Sequence, residues 1–336
     1  MINILGIESS CDETSAAVIQ NGKCLSNIIA EQKIHELYGG VVPELASRAH
    51  QQNIVPVVDA ALKKANIDKT ELSAIAFTKG PGLMGSLLVG TSFAKGLSLG
   101  LDIPLIEVNH MQAHILAHFI DKKTDSVPTF PFLCLTVSGG HTQIVLIKDY
   151  FKMEVIGETT DDAAGEAFDK AAKILGLPYP GGPLIDKYAK EGNAAAFSFP
   201  KISVPELNYS FSGLKTAFLY FIKDAIKKDA NFIENNLADI CASYQKAIVT
   251  TLLIKLEKAM EQRGINQIAV AGGVSANSGL RNALLQLENT KKAKVFLPPF
   301  EYCTDNAAMI AITGYYKFLQ NDFTTQRVTA TARWNL

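Results

Sequence analysis

The sequence predicts an α/β fold in which one arrangement of strands and turns occurs twice. Each copy has an apolar run, a polar turn and a second apolar run, at residues 4–8, 9–15 and 16–19 in the first copy and at 132–137, 138–142 and 143–147 in the second. Such segments are typical of tight β-hairpins whose turn residues supply unusual backbone geometry and hydrogen-bond donors. Two ordinary hairpins that happen to coincide are the alternative to a duplicated α/β half.

The remaining elements alternate between strands and helices. Further strands are predicted at 72–77, 267–271 and 293–297. A helix is predicted from Pro43 to Ala65, because proline suits a first helical turn and apolar residues follow at helical spacing. A second helix is predicted from Leu237 to Gln262, with Gly264 ending it. The stretch at about 179–211 is rich in proline, glycine and aromatic residues, and we expect an irregular insertion over a cleft, a common place for substrate contacts.

Length and composition indicate a globular protein of two lobes. The chain has 336 residues, of which 48% are hydrophobic and 19% charged, and this balance disfavours disorder. The net charge of -1 gives no general attraction to nucleic acid. An RNA partner would therefore need a local basic patch or a second subunit.

The compartment is predicted to be the cytoplasm. The five cysteines form no CxxC pair, and their odd number argues against a disulfide framework. The first residues read as a strand and not as a signal peptide. The run at 83–101 comes closest to a membrane span, but Lys95 and several glycines and serines interrupt it, so no membrane association is expected.

Three glycine-rich turns are candidate binding loops, at Ser138–Thr142, Ala271–Asn277 and Thr78–Gly82. Glycine lets a backbone approach a ligand and point its amides at an anion. The turn at Ala271–Asn277 follows a strand and precedes a helix, which favours a phosphate or nucleotide. Each turn alone is more often structural, and the chain has neither a P-loop motif nor a complete dinucleotide-binding motif.

Two histidines are candidate metal ligands. His110 and His114 are four residues apart in a predicted helix, so both rings project from one face, and His118 extends the row. Histidine pairs at this spacing are also common on ordinary surfaces. A carboxylate would complete the two-histidine, one-carboxylate set that suits Fe(II). Asp305 is a candidate, although an aspartate before a helix is often only a cap.

Two further carboxylates could act on a ligand. Asp12 lies in the first turn, where it could position a water, a phosphate or a metal. Asp169 could accept hydrogen bonds from a hydroxylated ligand. A solvated or capping role is the alternative for both residues.

Taken together, the motifs resemble one family. The segments GIESSCDETSAAVI, TVSGGHTQIVLI and AVAGGVSANSGLR resemble the phosphate and adenosine elements of the actin, sugar-kinase and Hsp70 superfamily. With NHMQAH, GEAFDKAAKILGLPYPGGP, NYSFSGLKTA and CTDNAAM in this order, the chain resembles the bacterial tRNA N6-adenosine threonylcarbamoyltransferases, the TsaD family. The resemblance extends from residue 3 to about 334.

The resemblance implies a fold and an activity. The fold would be two duplicated RNase H-like, actin-like ATPase lobes around a central nucleotide cleft, with 1–120 plus 305–336 in the N-terminal lobe and 121–304 in the C-terminal lobe. The activity would be transfer of L-threonylcarbamoyl from threonylcarbamoyl-AMP to N6 of adenosine 37, in tRNAs that read codons beginning with A.

Site residues and partners are implied in the same way. The metal ligands would be His110, His114 and Asp305, with iron the usual metal and zinc an alternative. The substrate contacts would be Thr136, Val137, Ser138, Gly139, Gly140, Asp169, Gly182, Asp186 and Asn277. The partners would be tRNA, a catalytically silent paralogue, a small P-loop ATPase and the synthase that makes the adenylate. Asp12 is our candidate for placing the amine or a bound water.

Competing functions are disfavoured by the residues present. A zinc metallopeptidase of the HExxH type needs a glutamate base, and Gln112 between the two histidines cannot serve as one. A small-molecule kinase could use the same fold, but oxygen ligands suffice for Mg-ATP and the histidines would have no purpose. A non-catalytic ATP-binding scaffold would have no use for an open metal site.

Overall fold

The computed structural model describes residues 1–121, 127–202 and 204–336, apart from the side chains of Lys33 and Glu36. The chain divides into two compact units. Unit 1 comprises Met1–Val127 and Pro298–Leu336, and unit 2 comprises Pro128–Leu297. The sequence predicts these boundaries after residues 120 and 304, and the compact units of the structure divide after residues 127 and 297.

The first part of unit 1 forms a five-stranded mixed sheet. Its strands are β1 (Asn3–Glu8), β2 (Thr14–Gln20), β3 (Lys23–Ala30), β4 (Ala74–Gly80) and β5 (Leu105–Asn109). The spatial order is β3-β2-β1-β4-β5; β1 to β3 are antiparallel, whereas β4 and β5 run parallel to β1. The carboxyl ends of β1, β4 and β5 therefore meet at one edge of the sheet.

Both faces of this sheet are buried by apolar residues that alternate along β1. Leu5 and Ile7 pack on one face with α1 (Pro43–Ala65) and α2 (Met84–Leu101), and Ile4 belongs to the cluster on the other face. α1 has the predicted bounds, and Asn66 ends it in the left-handed conformation. α3 (His110–Leu116) follows β5 directly.

Unit 2 contains a second five-stranded mixed sheet. Its strands are β6 (Phe132–Val137), β7 (Thr142–Asp149), β8 (Lys152–Glu158), β9 (Gln267–Ala271) and β10 (Lys294–Phe296). Its order, β8-β7-β6-β9-β10, with β6 to β8 antiparallel and β9 and β10 parallel to β6, repeats the order of unit 1. The predicted duplication of an RNase H-like unit is confirmed, and coincidence between two hairpins is excluded.

The helices of unit 2 are α4 (Ala164–Ile174), α5 (Gly181–Ala189), α6 (Ser212–Lys228), α7 (Phe232–Arg263) and α8 (Ser278–Lys291). The prediction of an irregular stretch at 179–211 was wrong for α5, which begins at the Gly-Gly pair after Pro180 and buries Ile185. The two glycines argue against a helix in the sequence, because glycine is a poor helix former in the interior of a helix. In the first turn of a helix, where these glycines lie, glycine is tolerated.

In the described part of the chain, α7 is the helix long and apolar enough to cross a membrane, rather than the run at 83–101. Of the 18 consecutive residues that form the most apolar stretch of α7, half are buried within the protein. Its buried residues Ile240, Tyr244 and Ile248 belong to the core of unit 2. Such burial is typical of a core helix in a soluble protein.

The chain then returns to unit 1 through α9 (Ala307–Leu319). This helix is buried along nearly its whole length and packs on the sheet face that contains Ile4. A Cβ on Gly6 of β1 would lie 2.5 Å from the carbonyl oxygen of Ala307, so glycine there allows the first turn of α9 to lie directly on β1. The residues just before α9 are thereby placed near the carboxyl end of β1.

Candidate metal centre and glycine-rich turns

The first two candidate ligands lie on α3. Asn109, the last residue of β5, caps this helix, because its Oδ1 accepts hydrogen bonds from the amides of Met111 at 2.9 Å and Gln112 at 3.2 Å. His110 and His114 lie one turn apart on the same face, with ring centroids separated by 4.7 Å and planes at 88°. The predicted shared face is confirmed.

The third candidate ligand precedes α9. The cap of that helix is Asn306, whose Oδ1 accepts from the amide of Met309 at 3.1 Å, so the capping role considered for Asp305 is wrong. The Oδ1 of Asp305 instead lies 3.3 Å from Nε2 of His110 and 3.1 Å from Nε2 of His114. The fold thus brings together His114 and Asp305, which are 191 positions apart in the sequence.

One ligand atom from each of these three residues lies within 4.8 Å of the other two, so the group could hold a metal ion. Two neutral imidazoles and a carboxylate suit a divalent transition metal and leave coordination positions open. The side chain of His114 is 1% exposed and that of Asp305 is 24% exposed, so solvent reaches the group on the carboxylate side. His118, on the 3-10 turn Ala117–Phe119, is outside the group.

The electrostatics of the group favour a cation. Burial opposes the charged form of His110, but the carboxylates of Asp305 and Glu8 outweigh it and hold the pKa of His110 well above its ordinary value. Burial likewise opposes ionisation of Asp305, yet His110 and His114 hold the pKa of that carboxyl far below its usual range. The site therefore stabilises a positive charge. A bound divalent cation would provide that charge in place of the proton on His110.

Glu8 is a member of this cluster that sequence reasoning missed. It ends β1 with its side chain fully buried, and its Oε2 lies 3.0 Å from Nδ1 of His110. Burial raises the cost of its charge, but His110 outweighs that effect and lowers the pKa of Glu8. The available signal was an acidic residue at the end of an otherwise apolar strand, next to a polar turn.

The first turn, at 9–13, carries further acidic groups. Burial, together with the carboxylates of Asp305 and Asp12, raises the pKa of Glu13 to about 9. Asp12 is hydrogen-bonded to Glu13, so the predicted Asp12 lies beside the cluster. The turn itself is supported by His50, whose Nε2 lies 3.0 Å from the carbonyl oxygen of Cys11.

The segment Thr78–Gly82 supports the same cluster, but the prediction that all of it is a turn was wrong, because Thr78 to Gly80 are the last residues of β4 and the turn follows them. The hydroxyl of Thr78 donates to Oε2 of Glu8 at 2.7 Å. A Cβ on Gly82, whose φ is +159°, would lie 2.5 Å from the carbonyl oxygen of Ser10. The close approach of these two turns accounts for the glycine.

In unit 2, the turn after β6 is open on one side. The amide of Ser138 donates to the carbonyl of His141 at 2.8 Å, and the amide of His141 donates to Oγ of Ser138 at 3.0 Å. Gly139 and Gly140 are exposed, and a Cβ on either would meet no atom of the described residues within 4 Å. Neither glycine has a left-handed φ. What they supply is open space.

Two other glycines allow neighbouring elements to pack closely against this turn. A Cβ on Gly165, in the first turn of α4, would lie 2.5 Å from the carbonyl oxygen of Ser138. A Cβ on Gly272, after β9, would lie 2.5 Å from the carbonyl oxygen of Val137, and its φ is +88°. The amino end of α4 and the two turns therefore meet at the carboxyl ends of the parallel strands β6 and β9, where Thr136 pairs with Ala271.

The other predicted substrate contacts have partners within unit 2. Asp169 Oδ1 accepts from the amides of Gly181 at 2.9 Å and Gly182 at 3.0 Å, which holds the start of α5, and burial raises the pKa of Asp169. Asp186 Oδ1 accepts from the amide of Ser278 at 3.0 Å. Asn277 caps α8 through the amide of Leu280 at 2.9 Å. Each carboxylate or amide thus stabilises a helix start near the turns.

Comparison with known proteins gives one family. The sequence profile of the family described as "TsaD: tRNA N6-adenosine threonylcarbamoyltransferase" matches residues 23–312. A protein named tRNA N6-adenosine threonylcarbamoyltransferase from Christiangramia forsetii is 69% identical over 333 residues, which covers 99% of this chain and 98% of that protein. A protein of the same name from Cytophaga hutchinsonii is 62% identical over 322 residues, 96% of this chain and 93% of that protein.

A solved structure shows the same fold. Full-length HypF in its phosphate- and nucleotide-bound form superposes with a TM-score of 0.62 at 14% identity, covering 96% of this chain and 47% of that chain. At that identity the likeness concerns the fold alone. The profile match and the two relatives decide the family: the chain belongs to the tRNA N6-adenosine threonylcarbamoyltransferases.

Proposed function

We propose that this protein transfers the L-threonylcarbamoyl group from threonylcarbamoyl-AMP to N6 of adenosine 37 in tRNAs that read codons beginning with A. The observation that carries the proposal is the meeting of His110, His114 and Asp305 in a chain of this family. Neither a kinase nor a non-catalytic scaffold needs this ligand set. A metallopeptidase would need a base that Gln112 cannot provide.

Unit 1 holds the metal in this proposal. His110 and His114 offer Nε2, and Asp305 offers a carboxylate oxygen on the side open to solvent. A bound divalent ion, with iron preferred and zinc the alternative, would supply Lewis-acid polarisation of the threonylcarbamoyl carbonyl. Asp12 is our candidate for orienting the incoming amine or a water, and its hydrogen bond to Glu13 supports that role.

Unit 2 holds the adenylate. The exposed turn at Ser138–Gly140, with Thr136 and Val137 before it, offers open space for a nucleotide, and the amino end of α4 favours an anion there. Asp169, Asp186 and the buried Asn277 fix neighbouring helix starts, and the partly exposed Asp169, Gly182 and Asp186 are the groups we propose to contact the donor. Stabilising the phosphate assists its departure.

The proposed transfer needs no reactant other than the adenylate and the tRNA. A bond forms between N6 and the carbamoyl carbon, the bond from that carbon to the phosphate oxygen breaks, and AMP leaves with the electron pair. N6 loses one proton to solvent. Because an adenine N6 is a poor nucleophile, most of the rate enhancement should come from positioning and carbonyl polarisation.

The proposed setting is the cytoplasm, and the proposed partners are tRNA, a catalytically silent paralogue, a small P-loop ATPase and threonylcarbamoyl-AMP synthase. A net charge of -1 supports the need for other subunits to hold a polyanion.

The test is reconstitution with purified components. Protein, partners, threonylcarbamoyl-AMP and tRNA are incubated, and nucleosides are analysed by mass spectrometry. Parallel reactions supply a peptide library and a set of small hydroxylated acceptors with ATP. We expect modified adenosine only in the first reaction. Peptide cleavage or phosphorylated acceptor without modified adenosine would reject the proposal.

A further inference from the structure

We infer that Glu8 is a positioning residue that fixes His110 in the tautomer offering Nε2, and not Nδ1, to the metal. The inference rests on the proposed metal site and adds a residue outside the ligand set. Glu8 ends β1, and its side chain is 0% exposed. A buried carboxylate in direct contact with a ligand histidine commonly orients the ring and raises its basicity as a ligand.

The contacts of Glu8 show that it accepts on both oxygens. The amide of Ser10 donates to Oε1. The hydroxyl of Thr78 donates to Oε2 at 2.7 Å, and Nδ1 of His110 lies 3.0 Å from the same oxygen. Donors on both oxygens are the pattern of an ionised, acceptor-only carboxylate. Nδ1 of His110 therefore carries a proton, and this N–H donates a hydrogen bond to the carboxylate of Glu8.

One competing contact is consistent with this assignment. The hydroxyl of Ser10 lies 3.2 Å from Nδ1 of His110. It could donate to that nitrogen only if Nδ1 had no proton, and then the nitrogen lone pair would face the Glu8 carboxylate. Because that arrangement is repulsive, the Ser10 hydroxyl does not set the tautomer. With Nδ1 protonated, the lone pair of the neutral ring is on Nε2, on the side of Asp305.

The two histidines differ in this respect. The Nδ1 of His114 is buried and has no hydrogen-bond partner among the residues that the structure describes. His114 is therefore oriented by packing and by its contact with Asp305 at 3.1 Å, whereas His110 is oriented by a carboxylate. Changing Glu8 should consequently affect the ligand His110 and leave His114 in place.

Glu8→Gln is the test variant because its amide has one acceptor oxygen where the carboxylate has two. It cannot accept from both the Ser10 amide and His110, so one donor must face the NH2 group. Zn²⁺ affinity is measured at fixed pH by competition with a chromophoric chelator. We expect about 10- to 100-fold weaker binding, with circular dichroism unchanged. Glu107→Gln, which removes a carboxylate that contacts Lys79 in the same unit, is the control and should bind Zn²⁺ as the parent does.

A second measurement needs no variant that could misfold. In histidine-labelled parent protein with Zn²⁺ bound, long-range ¹H–¹⁵N spectra should show His110 protonated at Nδ1 and metal-bound at Nε2. Coordination through Nδ1 would overturn the inference, as would parent-like affinity in Glu8→Gln or an equal loss in Glu107→Gln. His110→Ala serves as the reference: if it too keeps parent affinity, the metal site itself is wrong.

Discussion

The side-chain amide of Asn109 donates a hydrogen bond to the backbone carbonyl of Trp334, 3.2 Å away. Its Oδ1 at the same time caps α3. The irregular segment after residue 330 is joined to a neighbouring turn as well, since the amide of Gly82 donates to the carbonyl of Ala332 at 3.2 Å. The segment around Trp334 thus helps to hold the start of the helix that carries both histidines.

Asn109→Ala should therefore lower both stability and metal affinity. Loss of an N-cap costs about 1 kcal/mol, and the first turn of α3, which contains His110, should fray. Asp68→Ala removes a cap elsewhere in unit 1 and is the matched control. Urea unfolding and Zn²⁺ titration measure the two effects. Equal metal affinity in both variants would show that the cap does not position His110.

Gly139→Val should fold normally and bind adenylate poorly. In the described part of the chain no atom lies within 4 Å of the added Cβ, so the free energy of unfolding should change by less than about 0.5 kcal/mol. The branched side chain would fill the space proposed for the ligand. Calorimetry with AMP measures the loss. Parent affinity in a folded variant would remove this turn from the site.

Gly165→Ala is the matched comparison for that prediction. Its Cβ would lie 2.5 Å from the carbonyl oxygen of Ser138, so backbone must shift, and the variant should be clearly less stable than the parent. Thermal unfolding distinguishes the two glycines. A Gly165→Ala protein as stable as Gly139→Val would contradict the packing of α4 on this turn.

His50 should make the protein less stable as the pH falls. It is fully buried, its Nδ1 accepts from the hydroxyl of Thr14 at 2.7 Å, and its Nε2–H donates to the carbonyl of Cys11. Burial lowers the pKa of His50. In the unfolded chain the ring takes up a proton below about pH 6.5, whereas the folded ring stays neutral to lower pH. The stability that it contributes is thus complete above that pH and is lost below it.

The measurement is urea unfolding of the parent and of His50→Gln at pH 7.5, 6.5 and 5.5. Glutamine can both donate and accept but does not titrate. The stability advantage of the parent should shrink from the highest to the lowest pH. An advantage that stays constant would show that His50 does not titrate differently in the two states.

The isolated protein should modify tRNA poorly. Its net charge of -1 offers little general attraction to phosphate. Adding the proposed paralogue and ATPase should restore turnover, with activity falling steeply as salt is raised. Full multiple-turnover activity from this chain alone would show that the assembly is not required.

The sequence predicts those features that leave a pattern among residues close together in the chain, which we call a local signal. The helical spacing of His110 and His114 is such a signal, and so is proline at the start of α1. Contacts set by the fold have at most a weak one: Glu8 is one acidic residue at the end of an apolar strand, and only the fold places it 3.0 Å from His110. Gly139 and Gly272 look alike in sequence, yet one provides open space and the other a positive φ against Val137.

In the proposed function, His110, His114 and Asp305 bind a metal that takes part in the transfer. The most direct measurement pairs metal content by mass spectrometry with single-turnover transfer to tRNA, in alanine variants of these three residues and in His118→Ala. Each ligand variant should lose metal and transfer together, because two ligands hold a divalent ion weakly, while His118→Ala should keep both. Stoichiometric metal in His110→Ala or Asp305→Ala would contradict the site, and transfer at the parent rate after loss of metal would contradict its catalytic role.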